Sequence, residues 1–221
     1  VEKGNVGGRC LNEACIPAKA MLRVAEVFTE TQHAGDFGIE VQGASVNYDG
    51  ATKHRDKVIK ILTSGVAMLF DKNKIDYIEG FGSVTDDGNV KIGGQFDGTE
   101  IETDRVILAV GSVPKPILGL QFGKRILDTA GMWLLNEQPK KLCVIGAGAS
   151  GTEIASALGT LGTEVTLLEA LDQILPLEDA DIAKAAAREI KKQNVRIETG
   201  AKVEDAQVSD DSVKVTFNGE T

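Results

Sequence analysis

The feature that most constrains the fold is a glycine turn between two short apolar strands in the last third of the chain. The strand predicted over residues 141–145 leads directly into the Gly-Ala-Gly-Ala-Ser-Gly turn of residues 146–151. A helical apolar pattern follows, and then a second strand over residues 164–168 with Glu169 at its end. Strand, glycine turn, helix, strand and an acid about 20 residues beyond the turn form the dinucleotide-binding fingerprint. The pattern predicts a parallel α/β unit that binds a dinucleotide.

The three glycines of this turn have different expected roles. Gly146 allows the tight turn, Gly148 admits a diphosphate close to the backbone, and Gly151 lets helix and strand pack closely. The diphosphate is expected at the helix N-terminus. Glu169 can accept hydrogen bonds from a ribose 2′-hydroxyl and would repel a 2′-phosphate, which favours NAD over NADP. The alternatives are a solvated strand end for Glu169 and a βαβ unit that binds no nucleotide.

A second constraint is the segment of residues 7–19, Gly-Gly-Arg-Cys-Leu-Asn-Glu-Ala-Cys-Ile-Pro-Ala-Lys. Cys10 and Cys15 precede a helical apolar pattern, and a helix N-terminus favours a thiolate. Helical residues five apart have Cα atoms about 8.6 Å apart, whereas a disulfide needs less than about 7 Å. A Cys10–Cys15 disulfide therefore requires a distorted first turn, and strained disulfides are the reactive ones. Inert thiols are the alternative; a zinc site is disfavoured because no second cysteine pair or nearby histidine completes it.

Composition narrows the classes of partner. The net charge is −9, and the 24 basic residues are scattered along the chain. A nucleic-acid partner is not expected, because phosphate binding needs a basic face. We expect no membrane segment, since no apolar run approaches the roughly 20 residues that span a bilayer. Three cysteines are too few for a secreted disulfide scaffold, so a reducing, cytoplasmic setting is expected.

The remaining elements are predicted from periodicity. The patterns indicate helices over residues 51–72 and 179–193, and antiparallel strands on either side of the turn at 86–89. An apolar run at 105–110 suits a buried strand. Further strands are predicted over residues 75–78, 195–197, 201–208 and 213–217, of which 195–197 and 201–208 should extend the sheet. Trp133 is predicted to pack in the core, Cys143 to be buried, and His33 and His54 to be solvated.

Residues 7–19 resemble the redox-disulfide signature of the flavin-dependent pyridine nucleotide-disulfide oxidoreductases, most closely that of the dihydrolipoamide dehydrogenases. The match includes both cysteines, Asn12 and Lys19. Arg9 is one of three departures, because a hydroxyl residue is common at its position. The resemblance implies an α/β fold with two Rossmann-like (three-layer ββα) nucleotide-binding domains, the first incomplete. Residues 1–118 would form a partial FAD-binding domain with the redox disulfide, and residues 119–221 the NAD-binding domain.

The resemblance also implies roles for particular residues. Cys10 would exchange with the dithiol substrate, Cys15 would face the flavin, and Lys19 would lie near flavin N5, paired with Glu153. Electrons would pass from dihydrolipoamide through the disulfide and FAD to NAD. The other residues implied in binding FAD or NAD are Gly7, Gly8, Gly82, Gly111, Ser112 and Val203.

The family protein is about twice as long as this chain, so the resemblance implies a central fragment. In the family the acid–base histidine lies in a C-terminal interface domain, and neither His33 nor His54 matches it. The implied partners are a lipoyl-bearing protein domain of a 2-oxoacid dehydrogenase-type complex and a second copy in a homodimer. The fragment alone is expected to bind NAD weakly and to turn over poorly. A mercuric or glutathione reductase and a non-catalytic NAD-binding module are the alternatives.

Overall fold

The computed structural model describes residues 1–94 and 98–220. The α-helices are α1 (Gly8–Asn12), α2 (Cys15–Gln32), α3 (Tyr48–Lys72), α4 (Thr129–Trp133), α5 (Ala149–Thr160) and α6 (Ala180–Ile190). The strands are β1 (Phe81–Val84), β2 (Val90–Gly93), β3 (Thr99–Ile101), β4 (Lys141–Ile145), β5 (Glu164–Leu168), β6 (Val195–Glu198), β7 (Val203–Val208) and β8 (Val213–Phe217). Within these residues no helix is both long and apolar enough to cross a membrane.

The predicted dinucleotide-binding unit is present. Strands β4, β5 and β6 form a parallel sheet in that order, with Lys141 opposite Glu164 and Val165 opposite Val195. Helix α5 connects β4 to β5 and contributes Leu158 to the core beneath the sheet. The parallel sheet and its connecting helix confirm the α/β fold class predicted from the glycine turn.

Helices α2 and α3 pack against each other in the first half of the chain. Helix α2 begins at Cys15, two residues before Pro17, and not beyond it. Pro17 is tolerated there because the first-turn N–H groups of a helix have no intrahelical acceptor. Helix α3 begins three residues before its predicted start, where the Asn47 side chain accepts a hydrogen bond from the Gly50 N–H.

One continuous core joins the two halves of the chain. Helix α2 packs against α5, and the buried cluster includes Met21 of α2, Ala51 of α3 and Ile154 of α5. Trp133 belongs to the same cluster, which confirms its predicted packing role. The helix that begins with Cys15 is therefore fixed directly on the helix that follows the glycine turn.

Two small antiparallel sheets complete the fold. Strands β1, β2 and β3 form one sheet around the predicted turn at 86–89, and β7 pairs with β8 in the other. The expectation that residues 201–208 extend the parallel sheet is wrong, because β7 pairs with β8 alone among the described strands. Residues 75–78 form no strand; Glu79 makes an isolated bridge with Glu2 instead.

Two predictions of burial are also wrong. Residues 105–110 form neither helix nor strand, and Ile107 is 90% exposed. A buried parallel strand needs neighbours that supply hydrogen bonds, and none of the described strands pairs with this run. Cys143 is exposed, on the face of β4 opposite buried Val144.

Candidate redox and nucleotide site

Cys10 and Cys15 lie on either side of a break in the helical path. Cys10 is in α1 and Cys15 opens α2. Between them, the N–H groups of Glu13 and Ala14 both donate to the Arg9 carbonyl, at 2.8 and 3.1 Å. The chain thus has the distorted turn that a disulfide between these cysteines requires. Both are free, exposed thiols in this structure.

Cys15 perturbs the Cys10 thiol. A hydrogen bond with the Cys15 side chain is the main cause that raises the pKa of Cys10, and partial burial adds to it. The positive charge of Lys19 acts in the opposite direction but is weaker. The pKa of Cys10 is therefore shifted away from the thiolate expected at a helix N-terminus, because its hydrogen bond with Cys15 outweighs the positive charge of Lys19.

Residues 7–15, which we call the cysteine loop, lie beside glycines in left-handed backbone conformations. Gly7 and Gly8 have φ angles of 99° and 61° and Gly111 has a φ of 72°. A methyl group added at Gly8 or Gly111 would meet no atom within 4 Å. Arg9 Nη1 donates to the Ser112 carbonyl at 3.2 Å, which brings Gly111 and Ser112 to the cysteine loop. This open, glycine-lined surface fits the predicted flavin nucleotide contact, although sequence reasoning did not identify the Arg9 link.

Gly82, the other glycine predicted to contact FAD, lies in the first half of the chain. It is in β1, opposite Ile92, in the small antiparallel sheet. Residues 1–4 run beside this region, with Glu2 accepting from the Gly80 N–H and Gly4 accepting from the Tyr77 hydroxyl. The same N-terminal residues lead into Gly7 of the cysteine loop.

Lys19 and Glu153 form the ion pair that the resemblance implies. Lys19 Nζ lies 2.5 Å from Glu153 Oε1, although the two residues are 134 positions apart in sequence. Lys19 is one turn into α2 after Cys15, and Glu153 lies in the first half of α5. An exposed pair of this kind adds only about 0–1 kcal/mol to stability. Its importance is its position, because it places a positive charge between the cysteines and the glycine turn.

The glycine turn has the geometry that a dinucleotide diphosphate needs. Gly146 has a φ of 97°, and a methyl group at Gly151 would lie only 1.9 Å from the Gly146 carbonyl oxygen. A methyl group at Gly148 would instead point into open space. Helix α5 begins at Ala149 with no side-chain cap, so its first-turn N–H groups remain available for an anion. These residues fit NAD as predicted.

The Glu169 carboxylate accepts backbone hydrogen bonds that the sequence did not predict. Its carboxylate accepts from the Ala147 N–H at 2.7 Å and from the Leu171 N–H at 3.0 Å, and the residue is only 7% exposed. Glu169 therefore fixes the glycine turn as well as ending β5. Its carbonyl accepts from the Ala201 N–H, which brings half-buried Val203, at the start of β7, to the same edge.

The other notable thiol and the histidines are separate from this arrangement. Cys143 reaches the protein surface, but the protein atoms around its thiol displace part of its water and raise its pKa to about 11, so it remains protonated at neutral pH. His33 and His54 are exposed, as predicted.

Known proteins resemble the whole chain. The family model for "Pyridine nucleotide-disulphide oxidoreductase" matches residues 1–221. A dihydrolipoyl dehydrogenase of Chlamydia pneumoniae is 38% identical over 218 residues, which are 99% of this chain and 47% of that protein. The mitochondrial dihydrolipoyl dehydrogenase of Schizosaccharomyces pombe is 40% identical over 219 residues, covering 97% of this chain and 43% of that protein.

A solved structure supports the same fold. The crystal structure of LpdA from Mycobacterium tuberculosis superposes with a TM-score of 0.88 at 23% identity, covering 98% of this chain and 48% of that one. The chain spans about half the length of the curated relatives that it matches. The family uses FAD and NAD, in agreement with both predicted cofactors. The glycine turn, the paired cysteines and the family match over residues 1–221 together establish that the chain belongs to the pyridine nucleotide-disulphide oxidoreductase family.

Proposed function

We propose that this chain is the central part of an enzyme that oxidises protein-bound dihydrolipoamide and passes the electrons to NAD. One observation carries the proposal: the helix that begins with Cys15 packs directly on the glycine-turn helix, and the 2.5 Å Lys19–Glu153 contact lies across the two helices. A dithiol–disulfide pair and a dinucleotide site are thereby held on two packed helices. The names of the curated relatives, dihydrolipoyl dehydrogenases, support the choice of substrate.

The cysteines perform the thiol exchange. One sulfur of the dihydrolipoyl dithiol attacks Cys10 Sγ of the oxidised pair, and Cys15 leaves as a thiolate. The second substrate sulfur then attacks the mixed disulfide and releases Cys10, so that the substrate becomes a disulfide and the cysteine pair gains two electrons. The exposure of Cys10 permits the attack.

The other site residues hold and tune the cofactors. Bound FAD supplies the relay of the electron pair from the thiols to NAD. Lys19 would provide a positive charge beside bound flavin that favours its reduction, and Glu153 holds the Lys19 ammonium group. The α5 N-terminus binds the NAD diphosphate.

The domain assignment and the partners are part of the same proposal. Residues 1–118 belong to a FAD-binding domain and residues 119–221 to an NAD-binding domain of a longer protein. That protein acts as a homodimer on a lipoyl-bearing domain of a 2-oxoacid dehydrogenase-type complex. The exposed apolar run at 105–110 supports this reading, because the remainder of a FAD-binding domain would cover it.

The test is an NADH assay of the full-length, FAD-loaded protein with dihydrolipoamide and NAD⁺. We expect NADH formation, and its loss in Cys10→Ser and Cys15→Ser. Cys143→Ser is the matched control and should remain active, because its exposed thiol is separate from the cysteine loop. Activity with glutathione disulfide or mercuric ion instead would favour a sister reductase, and no turnover with any of these would favour a non-catalytic module.

A further inference from the structure

Arg55 is a buried cation in helix α3. The residue is 2% exposed and is the bulkiest of the fully buried side chains among the described residues. Lysine and arginine are almost never buried to this extent unless their charge is paired and their donors are used. Arg55 therefore needs partners for its charge and for its N–H donors.

The guanidinium group joins α3 to a distant segment of the chain. Nη1 donates to the Trp133 carbonyl at 2.5 Å and to the Leu135 carbonyl at 3.2 Å. Nη2 lies 3.4 Å from Asn136 Oδ1, and Nε donates to the carboxylate of Asp56 at 2.8 Å. Three of the four partners are thus 78 to 81 positions away in sequence.

These partners lie on the path to the glycine turn. Residues 133–136 begin at the last residue of α4 and lead within a few residues into β4, which ends at Ile145, directly before Gly146. Helix α3 packs against α2, which begins with Cys15. Arg55 therefore connects α3, which packs on the helix that carries Cys15, to residues 133–136, which lead to the glycine turn.

A second polar contact also links the helices near the cysteines to the dinucleotide-binding unit. Lys19 pairs with Glu153 of α5, but this pair is exposed. An exposed ion pair contributes little rigidity, whereas a buried guanidinium with several acceptors fixes both partners. Of these two polar contacts, Arg55 is the one suited to fix residues 133–136, and through them β4, on α3.

We propose that Arg55 is a positioning residue that sets the geometry of hydride transfer between the NAD-binding segment and the flavin side of the cysteine loop. The inference rests on the proposed function. Removal of the guanidinium leaves α2 packed on α5 but releases residues 133–136 from α3, so that β4 and the glycine turn at its end can shift relative to the cysteine loop. A displacement of about 1 Å can slow a reaction about 100-fold. The step affected is therefore hydride transfer between NAD and the flavin.

The test compares Arg55→Met and Arg55→Lys with Lys57→Met in the full-length, FAD-loaded protein. Lys57 is exposed on the same helix, so Lys57→Met makes a similar chemical change without breaking the contact. We would measure the rate of flavin reduction by NADH, the NADH dissociation constant, and the rate of reduction by dihydrolipoamide.

Arg55→Met should slow reduction by NADH about tenfold or more, with the NADH dissociation constant and the dihydrolipoamide rate within about twofold of wild type. Arg55→Lys, which retains the charge but not the planar fork, should show a smaller loss of the same kind. Lys57→Met should match wild type. Unchanged NADH rates, an equal loss in both steps, or a loss confined to the dihydrolipoamide step would each overturn the proposal.

Hydrogen exchange separates this proposal from the proposed function. In Arg55→Met, amide exchange over residues 133–145 should accelerate about tenfold relative to wild type and Lys57→Met, while exchange in α2 stays the same. If wild-type flavin is not reduced by NADH, the proposed function fails, and the exchange pattern alone then decides the role of Arg55. Uniform acceleration across the chain would assign Arg55 to general stability and overturn the inference.

Discussion

The close approach of Gly151 to Gly146 makes a sharp prediction about the nucleotide turn. In Gly151→Ala the new methyl carbon would lie 1.9 Å from the Gly146 carbonyl oxygen. Real Cβ atoms essentially never approach closer than 3.0 Å, so β4 and α5 must separate by about 1 Å. Both colliding groups belong to the backbone, so a rotamer change cannot relieve the contact.

The magnitude follows from two opposing effects. Overpacking a tight contact costs about 1–3 kcal/mol, with the upper part of that range expected when the backbone has to move. Alanine in a helix recovers up to about 1 kcal/mol relative to glycine. The free energy of unfolding should therefore fall by about 2 kcal/mol, which corresponds to a drop of about 4–8 °C in Tm for a cooperative unit of about 150–250 residues.

Two further glycines supply matched controls. Gly148→Ala adds a methyl group with nothing within 4 Å, at a φ of −68° that alanine readily adopts. Its Tm should stay close to wild type, while NADH binding weakens about tenfold or more because the methyl group blocks the diphosphate. Gly159→Ala would place its Cβ 2.2 Å from the Gln193 carbonyl oxygen, at the opposite end of α5. It should lower the Tm much as Gly151→Ala does.

The assays are thermal unfolding and NADH titration of the full-length protein. A Gly151→Ala variant with wild-type Tm and NADH affinity would show that helix and strand do not approach as closely as described. Wild-type NADH affinity in Gly148→Ala would refute the assignment of the diphosphate to this turn.

Three other predictions concern the site. Cys15→Ala removes the hydrogen bond that raises the pKa of Cys10, so Cys10 in the reduced protein should be alkylated faster at pH 8 than in wild type; equal or slower alkylation would contradict this. Lys19→Met should change the flavin absorbance spectrum and reduce turnover, whereas Lys53→Met, which removes an exposed lysine of α3, is the control and should change neither. An unchanged spectrum and rate in Lys19→Met would refute the Lys19 assignment. Glu169→Gln should lower the Tm, because an amide has one acceptor atom where the carboxylate uses two for the Ala147 and Leu171 N–H groups. It should also lower the preference for NADH over NADPH, because the charge that repels a 2′-phosphate is lost; a wild-type protein that prefers NADPH, or an unchanged preference in the variant, would remove the ribose role.

The parts of the fold set by local sequence were predictable. The elements of the glycine turn unit lie within about 30 residues of one another, and their periodicity indicates each one. The break between Cys10 and Cys15 could also be inferred, because the helix geometry is incompatible with a disulfide at that spacing. The Lys19–Glu153 pair required the family resemblance, since nothing local connects α2 with α5.

The errors and omissions depend on long-range partners. The apolar run at 105–110 has the composition of a buried strand, but composition does not supply the neighbouring strands that bury it. Arg55 looks like a solvated charge on a polar helix until residues 133–136 are placed beside it. Similarly, the backbone N–H groups that hold Glu169 become visible only when the turn is folded.

The central claim is that Cys10 and Cys15 interconvert between a disulfide and two thiols during turnover. The most direct measurement is mass spectrometry of the full-length protein, denatured and alkylated before and after anaerobic reduction by NADH. We predict that Cys10 and Cys15 are joined and unmodified in the oxidised protein and both alkylated after reduction, with Cys143 alkylated in both samples. Alkylation of Cys10 and Cys15 in the oxidised protein, or a disulfide that NADH leaves intact, would contradict the account.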